Sequence, residues 1–327
     1  MLISQPFTLN AARFHSSYFT RVRKMTFQDI ILFVLCGFDT CTRTALNRFF
    51  TQNSEQVMTM SQQALSKARS HFDHSPFELI FRDLVLQRYC EEHEINLWHG
   101  YQIFAIDKND AALPKIPALL EAFGGTGRDA DSPTAKISLL CDVLNDFVVD
   151  AAIGRASASE RGFALGHLEK LKDICPDTKK ILIFDIFDRS YPLAALINAL
   201  NAQRLSFLMR VKSKWNQEIN ESTRADSLVK LDETTTIRAV KFQLPSGETE
   251  TLITNLYELP FKEFSMLYFK RWPIETKYDI VKNKLTLENF TGYSKNVILQ
   301  DFWAAMYLTN LAAVAKDEAD AKKTGGI

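Results

Sequence analysis

The chain has 327 residues, 46% hydrophobic and 24% charged, which suits two or three folded domains and excludes a disordered class. Lys plus Arg and Asp plus Glu balance at 39 each, which excludes a uniformly basic nucleic-acid coat and leaves local patches for any such contact. The five cysteines, Cys36, Cys41, Cys90, Cys141 and Cys175, are scattered without CxxC spacing and read as reduced thiols of a cytoplasmic protein.

The six histidines show no metal-ligand spacing, and the nearest pair, His71 and His74, reads as surface or capping residues. The opening MLISQPFTLNAARFHSSYFTRVRK lacks the apolar core of a signal peptide, and the most apolar run, Ile30 to Phe38, is too short to span a bilayer. No membrane partner is expected.

Residues 1 to about 95 read as helical. TFQDIILFVLCG offers an N-cap at Thr26 and a stop near Gly37. SQQALSKARSHFD and SPFELIFRDLVLQRYCEEHE are further helices, the second opened by Ser75-Pro76. From Tyr101 to Asp110 the texture changes to a short apolar run that stops at Asp107. KISLLCDVLNDFVVDAAIG is either a strand or a helix leading to a strand. SASERGFALGHLEKLKDI is an amphipathic helix, and KKILIFDIFD (Lys179 to Asp188) is a β-branched strand ending in acids. YPLAALINALNAQ is a helix and SFLMRVK a strand. This alternation predicts a mixed α/β domain with buried strands. From about 213 to 258 the pattern is strand and turn throughout, with TTTIRAVKFQL and TETLITNLY joined at Pro245-Ser246-Gly247 as a hairpin. Helices resume at PFKEFSMLYFKRW, so the strand-rich stretch is an insertion; the polar tail KDEADAKKTGGI is expected to fray.

Two apolar runs end in carboxylates, FAID in Asp107 and IFDIFD in Asp185 and Asp188. An acid at the end of a buried strand stands at the mouth of an α/β sheet, where sites form, although a single Asp there is more often a turn or cap residue. Two such acids and one from a helix suffice to bind divalent ions for phosphoryl transfer, and Asp107, Asp188 and Glu275 are the candidates. The helix acid lies in YFKRWPIETKYDIVK, where Arg271, Glu275 and Lys282 follow Tyr268 at offsets of 3, 7 and 14. On one helix these positions fall within about 60° of the first. A buried face would not carry two cations and an anion unpaired, so the stripe is a solvated surface or faces something charged. Pro273 inside it either kinks the helix or starts a new one.

The series AIDKNDAALP, FDRSYPLAALINAL, FLMRVK, SGETETLITNL, LYFKRWPIETKYDIVKNKLTLENFTG and LQDFWAAMYLTNL resembles the DDE insertion-sequence transposases, over about residues 25 to 315. It is most similar to the group named insertion sequence four. Tyr268, Arg271, Glu275 and Lys282 match every spacing of that group's Y-(2)-R-(3)-E-(6)-K signature. Asp188-Arg189-Ser190-Tyr191 resembles its D-R-G-Y motif, with serine in place of glycine, and Lys108 stands where glycine usually follows the first aspartate.

The resemblance implies an α/β fold: an RNase H-like core with a β-rich insertion and a helical N-terminal domain. It implies a DNA-binding domain over 1–95, the first part of the catalytic core over 96–212, the insertion over 213–260, and the part carrying the third acid over 261–327. It implies Asp107, Asp188 and Glu275 as catalytic acids that hold Mg²⁺, for which Mn²⁺ substitutes, with Asp185 a competing ligand. Arg271 and Lys282 would hold transposon-end phosphates, and Tyr268 would pack or hydrogen-bond beside them. The implied activity is cleavage and strand transfer of double-stranded DNA at inverted-repeat ends and target. A homodimer pairing two ends would perform it at the nucleoid in the bacterial cytoplasm. The alternative is a truncated, impaired copy that binds ends and inhibits transposition, because the chain stops soon after TNLAAVAKDEA.

RVRKMTF (Arg21 to Phe27) and MRVKSKW (Met209 to Trp215) are the densest basic clusters, each read as solvated surface or as phosphate contact. Arg210, Lys212 and Trp215, with Arg189, are the DNA-contact candidates; Trp215 either stacks on an unpaired base or belongs to a core. No helix-turn-helix signature is clear in the N-terminal helices.

Overall fold

The computed structural model describes residues 2–21, 23–36, 42–53, 60–90, 95–128, 130–172, 174, 178–186, 193–212, 215–233, 235–279 and 290–324. A 3-10 turn (Leu2–Ser4) and α1 (Pro6–Ala12) lead into α2 (Phe27–Cys36), α3 (Thr42–Asn53), α4 (Gln62–Arg69) and α5 (Ser75–Cys90). Helix α2 opens on a reciprocal cap. The Thr26 N–H donates to Asp29 Oδ2 at 2.8 Å, and the Asp29 N–H donates to Thr26 Oγ1 at 3.2 Å. Phe27, Ile30, Ile31 and Val34, spaced for one helical face, are buried. Ile30, Phe72, Phe77 and Phe81 join the same continuous core as the strands that follow.

The sheet begins with β1 (Tyr101–Ala112), followed by α6 (Pro117–Phe123), the short β2 (Gly125–Thr126), β3 (Ser132–Asp142) and β4 (Phe147–Arg155). Then come α7 (Glu160–Leu171), β5 (Lys179–Ile186), α8 (Leu193–Ala202) and β6 (Ser206–Val211). β1, β5 and β6 pair in parallel, and β3 and β4 pair antiparallel, giving the order β4-β3-β1-β5-β6. The unbroken apolar runs Ile103–Ile106 and Ile181–Phe184 are buried, as strands covered on both faces require.

KISLLCDVLNDFVVDAAIG is thus two strands, with no helix before them. The carboxylate of Asp142 closes their turn by accepting from the Leu144 and Asn145 N–H groups, Gln102, Tyr89 and Asn145 Nδ2. Asp146 adopts φ 52° at the turn's end.

Next come α9 (Gln217–Glu221), β7 (Asp226–Lys230), β8 (Thr236–Gln243) and β9 (Thr249–Thr254). The stretch is not strand and turn throughout: Asn216 Oδ1 accepts the Ile219 N–H at 3.0 Å and opens α9. β8 and β9 form the expected hairpin, with Gly247 at φ 86° in its turn. β9 then pairs with β6 through Leu208↔Thr254 and Met209↔Ile253. The inserted strands therefore lengthen the main sheet, which has nine strands among the described residues. Arg238 fixes the return path. It holds Asp226 at 2.8 and 2.6 Å, donates to the carbonyls of Leu256, Tyr257 and Leu259, and stacks 4.8 Å from the Phe264 ring.

The chain ends with α10 (Glu263–Phe269), α11 (Pro273–Asp279) and α12 (Lys295–Thr324). The tail expected to fray stays helical to Thr324, and Arg88 holds its Asp317 at 2.8 Å. Over Lys295–Lys322, α12 is long and apolar enough to cross a bilayer, yet 67% of its apolar window is buried, which fits a core helix. It packs on β4 and α5, and its Asn310 donates to Val148 O and accepts the Val148 N–H, both at 2.8 Å.

Candidate active site

β1 does not stop at Asp107. Parallel pairing with β5 ends at Ile106↔Phe184, whereas antiparallel pairing with β3 runs on from Asp107↔Leu139 to Ala112↔Thr134. Asp107 lies mid-strand, one residue beyond the last parallel pair. A run whose second half is KNDAA looks like a loop because its partner strand is distant in sequence.

The signature spans two helices. α10 ends at Phe269, Lys270 to Trp272 form a turn, and Pro273 begins α11, where its missing N–H costs nothing. The single stripe expected on one helix is thereby corrected, yet Arg271 and Glu275 still meet: Arg271 Nη2 lies 2.9 Å from Glu275 Oε1. Arg271 Nη1 lies 4.0 Å from Asp107 Oδ2, so one guanidinium stands between the two acids. Its side chain is 11% exposed, against 23% for Asp107 and 41% for Glu275, so the acids are the more accessible groups. Tyr268 is buried; its ring lies 5.8 Å below the guanidinium and meets Phe242 of β8 at 6.3 Å. From that position it supports Arg271 rather than lining the surface.

Helix α11 buries Ile274, Lys277 and Tyr278 and turns Glu275 outward. Lys277 Nζ pairs with Asp146 Oδ1 at 2.9 Å, and the Tyr278 hydroxyl donates to the Asp107 carbonyl at 2.7 Å. Burial pushes the Tyr278 phenol well above its ordinary pKa, and the Asp107 charge adds to it, so the hydroxyl keeps its proton. Burial likewise pushes the nearby Cys141 thiol up to about 12, which leaves it inert. Sequence reasoning passed over Lys277 and Tyr278; the apolar face from Ile274 at offsets of three and four was their signal. It also passed over Trp272, whose side chain is 60% exposed beside Arg271.

A buried polar chain backs the site. Ser138 Oγ lies 3.3 Å from the Asp107 carbonyl and 2.9 Å from His167 Nε2; His167 Nδ1 lies 2.6 Å from Asp150 Oδ2, and the other oxygen, Oδ1, pairs with Arg82. Burial would raise the Asp150 pKa, but the His167 and Arg82 partners overcome it and hold the carboxyl below its usual range. Ser138 and His167 are buried at 2% and 0% exposure, so this serine–histidine–carboxylate order supports the strands.

Among the expected DNA contacts, Arg210 pairs with Glu250 of β9 at 2.8 Å, Lys212 is exposed at the end of β6, and Trp215 is half-buried against the core. Asp188, Arg189 and Lys282 lie outside the described residues, as does the side chain of Asp185. Among the described residues no three His, Cys, Asp or Glu side chains converge on a metal position. Asp107 and Glu275 offer oxygen donors only, which suits Mg²⁺ or Mn²⁺; Mg²⁺ commonly takes one or two carboxylates and completes its shell with water and substrate phosphate.

Comparisons with known proteins point to transposases. The family described as "Transposase DDE domain" matches residues 98–311. The chain is 24% identical over 194 residues to the "Putative transposase InsZ" of Escherichia coli (strain K12), covering 58% of this chain and 63% of that protein. It is 25% identical over 201 residues to the "Putative transposase y4zB" of Sinorhizobium fredii, covering 56% of this chain and 51% of that one. The chain therefore matches only about half to two thirds of the length of these curated relatives. In fold it is similar to a piggyBac transposase solved by cryo-EM as a synaptic complex with hairpin DNA. The TM-score is 0.54 at 14% identity, over 95% of this chain and 70% of that one. The mixed sheet with three parallel central strands is the RNase H-like core, and the chain belongs to the transposases that carry the DDE domain.

Proposed function

We propose that this chain cuts and joins DNA strands at the inverted-repeat ends of an insertion sequence, using a divalent metal ion, Mg²⁺ or in its place Mn²⁺. The observation that carries this reading is the pairing of Asp107 and Glu275 through Arg271, with Asp107 one residue past the last β1–β5 pair. Asp107 and Glu275, with Asp188, would hold the ion. When bound, such an ion supplies activation of water or a 3′-hydroxyl and neutralises charge on the phosphate. Arg271, propped on the Tyr268 ring, holds the two acids near one another and is assigned to a DNA phosphate by the signature. Lys282 and Arg189 are assigned to phosphates by the signature, and Lys212 by its exposure. Trp272, 60% exposed in the turn between Arg271 and α11, is suited to stack on an unpaired base at a cut end.

The N-terminal helices are assigned to reading the ends, and a homodimer to pairing two of them, acting in the cytoplasm on the nucleoid. The piggyBac neighbour's capture as a synaptic complex with hairpin DNA supports DNA as the partner. The test is an end-cleavage assay on DNA carrying the gene's own flanking inverted repeats, with Mg²⁺ or Mn²⁺. It compares wild type, Asp107→Asn and Glu275→Gln. Cutting at the repeat ends by wild type alone is expected. Equal cutting by Glu275→Gln would overturn the site, and binding of ends without cutting by wild type would identify an inhibitory copy.

A further inference from the structure

We propose that Tyr278 is a positioning residue that sets the separation of Asp107 and Glu275 by pinning helix α11 to strand β1. The inference rests on the functional reading above. Three facts support it. Tyr278 stands three residues after Glu275, on the same short helix, and its hydroxyl donates at 2.7 Å to the carbonyl of Asp107 itself. One hydrogen bond thus joins the element carrying the third acid to the backbone of the residue carrying the first.

The phenol is 4% exposed and deeply seated, so it touches no substrate. The second hydroxyl near this carbonyl is a weaker holder: Ser138 Oγ lies 3.3 Å from Asp107 O and is also engaged by His167 Nε2 at 2.9 Å. The Lys277–Asp146 pair anchors the same helix to the β3–β4 turn rather than to the strand residue that carries an acid. Lys277 therefore holds α11 in place along the sheet, and Tyr278 fixes its height over Asp107. Small displacements matter here, since a misplacement of about 1 Å in a reacting constellation costs about 100-fold in rate.

The test is Tyr278→Phe, which removes the hydroxyl and keeps the ring, with Lys277→Met as a control for simple loosening of the helix. Three readouts are taken: hydrogen exchange of the α11 amides, Mn²⁺ binding followed by EPR without DNA, and end cleavage. For Tyr278→Phe the expected result is α11 exchange faster by about 10-fold, weaker Mn²⁺ binding, and cleavage slowed by about 10- to 100-fold with end binding unchanged. Lys277→Met is expected to speed α11 exchange with a smaller loss of Mn²⁺ affinity. Unchanged exchange in Tyr278→Phe overturns the pin, and faster exchange with wild-type Mn²⁺ binding and cleavage reduces Tyr278 to a stabilising contact and overturns the proposal. A wild-type protein that neither cuts nor binds Mn²⁺ refutes the functional reading instead, and the exchange arm then decides the pin by itself.

Discussion

Arg69, at the end of α4, is buried at 3% exposure against Asp301 of α12, which is fully enclosed. Its guanidinium lies 2.6 Å from Asp301 Oδ1, donates to Gln300 Oε1 at 2.9 Å, and also meets Thr291 Oγ1. Arg69→Met leaves the Asp301 carboxylate enclosed with only the Thr291 donors, among them the N–H at 2.8 Å. An uncompensated buried charge of this kind costs about 3–5 kcal/mol. Replacing both partners, Arg69→Met with Asp301→Leu, removes the orphaned charge and is expected to return stability to within about 2 kcal/mol of wild type. Urea unfolding followed by circular dichroism measures Arg69→Met, Asp301→Leu and the double variant, read as midpoint shifts from wild type at constant slope. The reasoning fails if Arg69→Met stays within about 1 kcal/mol of wild type, or if the double variant loses the sum of the two single losses.

Asp150 carries a depressed pKa, so its contribution is present above the unfolded carboxylate value of about 4 and disappears as pH falls through the lower folded value. Asp150→Asn is expected to lose about 3 kcal/mol at pH 7, with the gap to wild type closing in acid, checked by urea midpoints across a pH series. Gly166, inside α7, has open space where a Cβ would stand, so Gly166→Ala is expected to stabilise by about 0.4–1 kcal/mol. Gly125→Ala should destabilise instead, because its Cβ would collide with the Ala130 carbonyl oxygen; the same titration ranks the two. Trp272→Ala is expected to weaken binding to ends with unpaired bases by about 1–3 kcal/mol while sparing fully paired ends, measured by fluorescence anisotropy.

Local signals in the sequence located most of these elements. Thr26 and Ser75-Pro76 open helices where their chemistry predicts, and Pro245-Ser246-Gly247 turns the β8–β9 hairpin. The misreadings share a cause, which is that distant partners decided the outcome. Residues 107–112 are strand because β3 lies beside them, and KDEADAKKT stays helical partly because Arg88, more than two hundred residues earlier, holds Asp317. At the site, the spacing from Tyr268 to Glu275 brought Arg271 to its acid even though Pro273 divides the helix. The bond from Tyr278 to Asp107 was not legible, since no local pattern links a helix residue to a carbonyl 171 positions away.

Asn310 has a consequence for how such a sheet can change. By taking both hydrogen-bonding groups of Val148 it occupies part of the outer rim of β4, where another strand would have to dock. The opposite rim, β7, is five residues long, bears Asp226 and Lys230 at its ends, and leaves Leu228 64% exposed. Growth of this sheet is therefore one-directional. A strand can be added beyond β7 without reaching the β1–β5 seam beside Asp107, whereas a strand added beyond β4 would first have to displace α12.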